Sequence, residues 1–333
     1  MLRSLLVLAL LSSAAAAAEE VTTLRIGTIV PDGTGWSREI RAMARDVDGE
    51  THGALRFKVY MGGIAGDELD MMSRIKRGQL DGVLSGGMAC ETVAPSMRVA
   101  RIPGVFQTWA ETSYVLGRLR PLLDEEAQRN GFRYLGEAIV GPSIVFSRKP
   151  LATMREVQQT RFWIWDIDRM LAAVLPAMGF DVKPSPIAEA YGTYERGLVD
   201  GFISPAVAAL GFQWSTVARY YTDLRIGFVV GCLVVANRAF DAMPLSEQQA
   251  LKLAAAKMKV RIEQLGHTQE EQLMHGLFQK QGLQPVTVDA GTRVSFFEAA
   301  HIARDRAATK LVSPDLIARV LAMLADFRSE HRE

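Results

Sequence analysis

Little in this chain marks it for chemistry or for a charged partner. It has two cysteines and five histidines in 333 residues. It holds no Gly-x-Ser-x-Gly elbow, no Gly-x-x-x-x-Gly-Lys-Ser/Thr loop and no His-Glu-x-x-His helix, the patterns that set a nucleophile, a phosphate or a zinc ion in place. Gly33-Thr34-Gly35 lacks the third glycine of a dinucleotide loop. Glu298 and His301 have the spacing of a metal-binding helix, but such a site needs further carboxylates or a second copy on a facing helix. No catalysis, cofactor or metal is expected. Charge is equally uninformative: removing Arg3 with a leader leaves 37 basic residues of 38 against 37 acidic ones, so there is no net field to capture nucleic acid or an anionic membrane.

Long apolar runs are also absent, with one exception at the start. Met1-Leu2-Arg3, the apolar stretch to Leu11, Ser12-Ser13 and the alanines 14–18 read as a secretory signal peptide cut after Ala18, too short to span a bilayer. No cysteine near the cut suggests a lipid anchor. The mature protein is therefore expected in the periplasm. Cys90 and Cys232 could close a disulfide in such an oxidising compartment, although spacing alone cannot show it and buried free cysteines are common.

What is present is a repeated order of elements. Leu24 to Val30 reads as a strand, Ser37 to Val47 as a helix, Leu55 to Tyr60 as a strand, Asp67 to Arg77 as a capped helix and Leu80 to Ser85 as a strand. The order returns as strand Arg161 to Trp165, helix Asp168 to Met178, strand Asp181 to Lys183, helix Glu189 to Glu195 and strand Val199 to Ser204. The fold class is α/β, with two lobes, each a sheet flanked by helices. Tyr134 to Val145 and Leu224 to Val235 are the candidate crossing strands, with glycines that permit bending. One long helix from Pro244 to Gly282, opened by Ser246, could bridge both lobes. A short strand from Pro285 to Val288 and helices near Arg293 to Lys310 and Pro314 to Phe327 complete the chain. Residues 19–140 plus 231–270 are assigned to one lobe and 141–230 plus 271–333 to the other.

The run from Val59 through Met61-Gly62-Gly63-Ile64-Ala65-Gly66-Asp67-Glu68 to Leu69 resembles the strand-turn-helix signature of DctP-type receptors of tripartite ATP-independent periplasmic (TRAP) transporters. Ile75 to Asp81, Val99 to Phe106, Lys149-Pro150, Glu189-Ala190-Tyr191 through Leu198-Val199-Asp200-Gly201, Pro205, and Val234 to Asn237 with Met243-Pro244 agree in the same order. The resemblance covers nearly the whole mature chain. It implies a two-lobed receptor, most simply a monomer, that closes on a small molecule and delivers it to the small and large membrane subunits of a permease.

The same resemblance makes three departures visible. The position of the family's ligand-binding arginine, on the first strand of the second lobe, matches Trp163; a second arginine after Gly-x matches Ser143; the polar residue after Asp-Gly-x matches Ile203. A carboxylate closed into a cleft without a cation costs several kcal/mol of desolvation, so these departures imply a hydrophobic or neutral ligand. Strand alternation puts Arg161, Trp163 and Trp165 on one face. Trp163 leads the ligand-contact candidates. Arg161 is the residue through which a monocarboxylate or other organic acid could still be held. Trp36 after the first strand, Met88 and Phe202 at strand ends, and Tyr191 on a helix complete the candidate set, each with core packing as the competing reading. The competing functions are an α/β hydrolase-like enzyme, which would need a nucleophile the sequence does not display, and a non-transport lipid carrier with the same cleft.

Overall fold

The chain is described by a computed structural model over residues 21–331; the expected signal peptide lies outside the described residues. Nine strands form one mixed sheet flanked by helices. In chain order the elements are β1 (Thr22–Thr28), α1 (Gly35–Glu50), β2 (Leu55–Tyr60), α2 (Glu68–Lys76), β3 (Gly82–Ser85), α3 (Met88–Val93), a 3-10 helix (Pro95–Arg101) and α4 (Trp109–Arg129). Then come β4 (Phe132–Ser147), α5 (Met154–Gln158), β5 (Arg161–Trp165), α6 (Arg169–Ala177), β6 (Asp181–Ser185), α7 (Ala190–Glu195), β7 (Gly201–Pro205) and α8 (Ala206–Gly211). The last group is β8 (Tyr220–Ala236), α9 (Asn237–Asp241), α10 (Leu245–Gln272), α11 (Phe278–Lys280), β9 (Gln284–Val286), α12 (Ala290–Arg306) and α13 (Pro314–Glu330).

The strand order β2-β1-β3-β8-β4-β7-β5-β6, with β9 on β8, shows how two similar halves share a sheet. β1 pairs in parallel with β2 and β3, and β5 pairs in parallel with β6 and β7. The long antiparallel pair β4 and β8 joins them: β3 takes the far end of β8 from Cys232, and β7 takes the far end of β4 from Ser143. The pairing register of β4 shifts at Tyr134/Gly136, Ile139/Gly141 and Ser143/Val145. Gly136 and Gly141 both have φ +151°, a conformation a side chain would resist, so only glycine lets β4 bulge and bend there without strain.

Local chemistry accounts for the helices that bound the site. Thr34 caps α1 by accepting from the Ser37 N–H, and Trp36, Ile40, Met43 and Val47 fall inward at helical spacing. Asp67 and Asp70 form a capping box on α2, satisfying backbone donors at both ends of its first turn. The long helix departs from expectation at each end. It begins at Leu245 after Pro244 with no side-chain cap, so Ser246 lies inside it. It also stops at Gln272, where a π turn spans Leu273–Leu277 and His275 and Gly276 leave helical geometry. The helices α4, α3 and α8 were not anticipated; α4 carries Pro121 inside an otherwise regular helix.

The C-terminal helices tie the halves from the outside. Phe327 of α13 meets Tyr114 of α4 at 4.8 Å, and Arg328 donates to Glu111 and to the Val105 carbonyl. α12 packs beside α6, and its Ala300 and Phe297 close on Gly104. Cys90 on α3 and Cys232 on β8 are joined as a disulfide across 142 residues of sequence, which resolves the choice the spacing left open.

Candidate functional site

The site lies where the sheet's two halves meet, at the ends of β1, β3, β5 and β7 and under α10. A cavity of about 160 Å³ opens there, large against the ~10–15 Å³ a single water needs. Its wall is carbon-rich. Trp36 comes from α1, Trp163 and Trp165 from β5, and Trp214 from the turn after α8, with Ile29, Val30, Leu84, Ile203, Met258 and Ile262 filling between them. The position of ligand-lining groups at strand ends is what an α/β sheet of this kind provides.

The aromatic wall is held by its own contacts. Trp163 is 4 % exposed, packs 5.2 Å from the Trp214 ring and gives its indole N–H to Ser185 Oγ at 2.9 Å. Its polar edge is therefore satisfied inside the protein, and its carbon face is what remains for the cavity. Trp214 stacks on Phe212 at 4.9 Å. On the opposite side, the turn after β3 is clamped by Glu68: the buried carboxylate accepts from Ser85 Oγ and from the Gly86 and Ala89 N–H groups. Burial raises the Glu68 pKa despite those donors.

Two cations stand in the wall, and both are engaged. Lys259 of α10 meets Glu137 at 2.9 Å and Glu263 at 3.9 Å. Arg101, from the end of the 3-10 helix, meets Glu91 at 3.2 Å and is ion-paired directly with Asp168 at the start of α6. The three side chains are 10 %, 7 % and 3 % exposed. Burial pushes the Glu91 carboxyl up to about 7; the Arg101 charge opposes the rise and the Asp168 charge adds to it. For Arg101 burial works against the charge, and Asp168 and Glu91 together outweigh it, so its pKa is raised.

Five of the nine candidate residues meet in this cavity: Trp36, Ser143, Trp163, Trp165 and Ile203. The other four lie outside its lining. Arg161 begins β5 at the opposite end of the strand, is exposed and pairs with Asp181 at 2.8 Å; three residues of strand separate it from Trp165, so its guanidinium serves the surface. Phe202 is the register partner of Trp163 across β5 and β7 and is covered by packing, stacked on Phe146 at 4.8 Å and meeting Trp214 at 5.9 Å. Met88 is buried in the first turn of α3. Tyr191 faces outward from α7 and is 37 % exposed. Trp36 sits on α1 itself rather than in the preceding loop.

Sequence reasoning missed Arg101, Asp168, Glu137, Lys259, Phe212 and Trp214. Arg101 lay within the family-like run Val99 to Phe106 and Asp168 was visible as a helix start, but their meeting joins residues 67 apart. His301 pairs with Asp305 along α12 at 3.9 Å, and His267 pairs with Glu271 at 3.6 Å. Among the described residues no group of three or more His, Cys, Asp or Glu is placed to hold a metal ion, and no helix is long and apolar enough to cross a membrane.

The family described as bacterial extracellular solute-binding protein, family 7 (DctP), matches residues 26–310. The chain belongs to this family. A solute-binding protein of Albidiferax ferrireducens is 22 % identical over 283 residues, which is 80 % of this chain and 79 % of that protein. Among solved structures, a TRAP periplasmic solute-binding protein of Haemophilus influenzae with bound L-gulonate superposes with a TM-score of 0.83 at 17 % identity, covering 92 % of this chain and 99 % of the other. One of Roseobacter denitrificans with bound L-galactonate gives 0.81 at 18 % identity, covering 91 % and 99 %. The protein described here is thus an extracellular solute-binding protein of the DctP family, with the α/β fold of its two-lobed structural relatives.

Proposed function

We propose that this receptor captures an organic molecule with a mainly apolar body and a single polar end. The observation that carries the reading is the cavity wall, four tryptophans and aliphatic side chains with every lining cation already ion-paired. Each 100 Å² of apolar ligand surface covered there gains roughly 2.5 kcal/mol. A polyhydroxylated acid would instead set its hydroxyls against carbon, at about 1–3 kcal/mol for each group left unpaired.

The acids bound in the Haemophilus and Roseobacter structures favour a second reading within this one, in which the polar end is a carboxylate. They also correct the inference of a hydrophobic or neutral ligand drawn from Trp163, Ser143 and Ile203: losing polar groups at those three positions removes anchors without deciding the charge of the ligand. Arg161 is not the anchor in either reading, since it lies at the surface end of β5.

In this reading the mature protein works in the periplasm as a monomer, closes its two lobes about β4 and β8, and hands its ligand to the small and large subunits of a TRAP permease. The lobes are residues 19–140 plus 231–270 and 141–230 plus 271–333. Closure is favoured only by contacts the ligand makes in the closed form and not in the open one. The test is native mass spectrometry of protein purified gently without refolding, followed by solvent extraction of whatever it carries. An apolar-bodied passenger is expected. A sugar acid, or a cleft that stays empty in protein exposed to cell extract, refutes the proposal.

A further inference from the structure

The two cations that line the ligand cavity differ in what they can still offer. Arg101 is 10 % exposed and is held by both Glu91 and Asp168. Lys259 is 33 % exposed. It stands on α10 with Ala255, Met258 and Ile262, all of which line the cavity; their spacing puts the four residues on one helix face, the face turned to the cavity. Its partner Glu137 does not depend on it. One Glu137 oxygen accepts from Lys259 Nζ at 2.9 Å and the other accepts from Arg120 at 3.2 Å. Arg120 is itself fixed by Asp124 at 2.8 Å and by the Tyr134 carbonyl at 3.0 Å. Glu263, at 3.9 Å, lies beyond hydrogen-bond reach of the lysine. An ammonium has three N–H donors, and Glu137 takes one of them.

We propose that Lys259 anchors the carboxylate of an organic acid bound in this cavity. The inference rests on the apolar-bodied reading of the ligand and commits its polar end to a carboxylate. A carboxylate closed into a cavity needs a cation and N–H donors to offset the water it loses. Lys259 can give both without leaving Glu137 uncompensated, because Arg120 stays on that residue. Arg101 could give them only by breaking a buried pair and leaving Asp168 with no partner charge, which is costly. The flexible lysine stem also lets a point charge follow the acid. The cation that the family resemblance sets on β5, where this chain has Trp163, is thus supplied from α10, and the tryptophan face is left to cover the apolar body.

The decisive variant is Lys259→Met, which keeps the stem and removes the charge; Lys259→Arg keeps the charge. Calorimetry with three probes, octanoate, octanol and L-gulonate, reads the effect. The wild type should bind octanoate at least tenfold more tightly than octanol, and equal binding overturns the proposal. Lys259→Met should lose about tenfold for octanoate with octanol changed less than threefold, a split that a merely structural role would not produce, and Lys259→Arg should keep the wild-type order. An unchanged octanoate-to-octanol ratio in Lys259→Met overturns the proposal, as does a wild type that binds neither acid. If the wild type binds L-gulonate more tightly than either eight-carbon probe, the apolar-bodied reading fails. The role of Lys259 is then read from L-gulonate itself: a loss in Lys259→Met that Lys259→Arg does not share supports it, and no loss overturns it. If Lys259→Met does not fold, Glu137→Gln decides. Relieving Lys259 of its carboxylate should tighten octanoate with octanol unchanged, and no gain overturns the proposal.

Discussion

Two cavities of this protein differ in almost every respect that matters for binding. The one between the sheet halves is lined by four tryptophans, with charges neutralised inside the wall. The second lies at the break after α10, against β8 and β9, is larger at about 420 Å³, and is lined by Asp223, Arg225, His267, Glu270, Glu271, His275 and Arg293. Its polar groups partner one another or the solvent: Trp109 donates to Glu270 at 2.8 Å and Arg225 meets the same carboxylate at 3.4 Å. Size therefore does not identify the ligand site. The first cavity has a mainly apolar surface that gains by being covered, whereas the second is lined by charged groups that covering would desolvate.

The comparison can be broken most forcefully through the disulfide. Cys232 lines the apolar cavity and Cys90 anchors α3 beside it, while the polar cavity has no covalent brace among its lining residues. Removing a native disulfide from a secreted domain costs about 2–5 kcal/mol. Reductant, or the double change to serine, should lower the midpoint of thermal unfolding by about 5–15 °C and weaken ligand binding with it, as followed by calorimetry. An unchanged midpoint would separate the bond from the fold's stability.

A matched pair of aromatic deletions sharpens the same contrast. Trp163→Ala should cost about 3–5 kcal/mol of stability and at least tenfold in affinity for an apolar-bodied ligand. Trp109→Ala, on the rim of the polar cavity, should leave that affinity within threefold; equal losses in both variants would mean that the apolar cavity is not the binding site.

Acidity should act beside both cavities, since burial raises the carboxyls of Glu91 and Glu68 next to the first and of Glu270 in the wall of the second. Glu91 has its folded-state pKa raised from an ordinary 4.5 to about 7 by burial. Between those values the folded protein holds a proton that the unfolded chain has released, so stability falls as pH rises through the window, by up to about 3 kcal/mol in total. Glu68, also raised by burial, contributes with the same sign. Denaturant titrations at pH 5 and pH 8 should show the difference, and Glu91→Gln should flatten it. The smallest effect belongs to the exposed pair His267 and Glu271: His267→Ala should change stability by less than about 0.5 kcal/mol and ligand affinity not measurably.

Much of the fold was legible before any coordinates. The limits of β2 and β5 coincide with the alternation in Leu55–Tyr60 and Arg161–Trp165, and α2 begins where Asp67 caps it. These features rest on neighbours within a turn or a strand, where spacing and capping chemistry are decisive. The break after α10 was not legible, because the apolar stripe continues through Leu273 and Leu277 while His275 and Gly276 leave the helix between them. At the site, five candidates came together because strand alternation and the family-like register pointed the same way. Arg161 failed because a shared face of β5 does not imply a shared end: three alternating residues span the strand, and only its C-terminal part reaches the cavity.

The order of amino acids by itself determined a DctP-type α/β receptor, because repeated strand-helix patterns and ordered motifs constrain local geometry and topology. It also determined that position 163 is apolar where an anchoring arginine is usual in the resemblance it carries. Tertiary structure alone decided that Cys90 meets Cys232, that the cavity wall is completed by Trp214, and that Arg101 is claimed by Glu91 and Asp168. Those pairings join residues from 10 to 142 positions apart, and their energies depend on burial and distance, neither of which exists until the chain has folded.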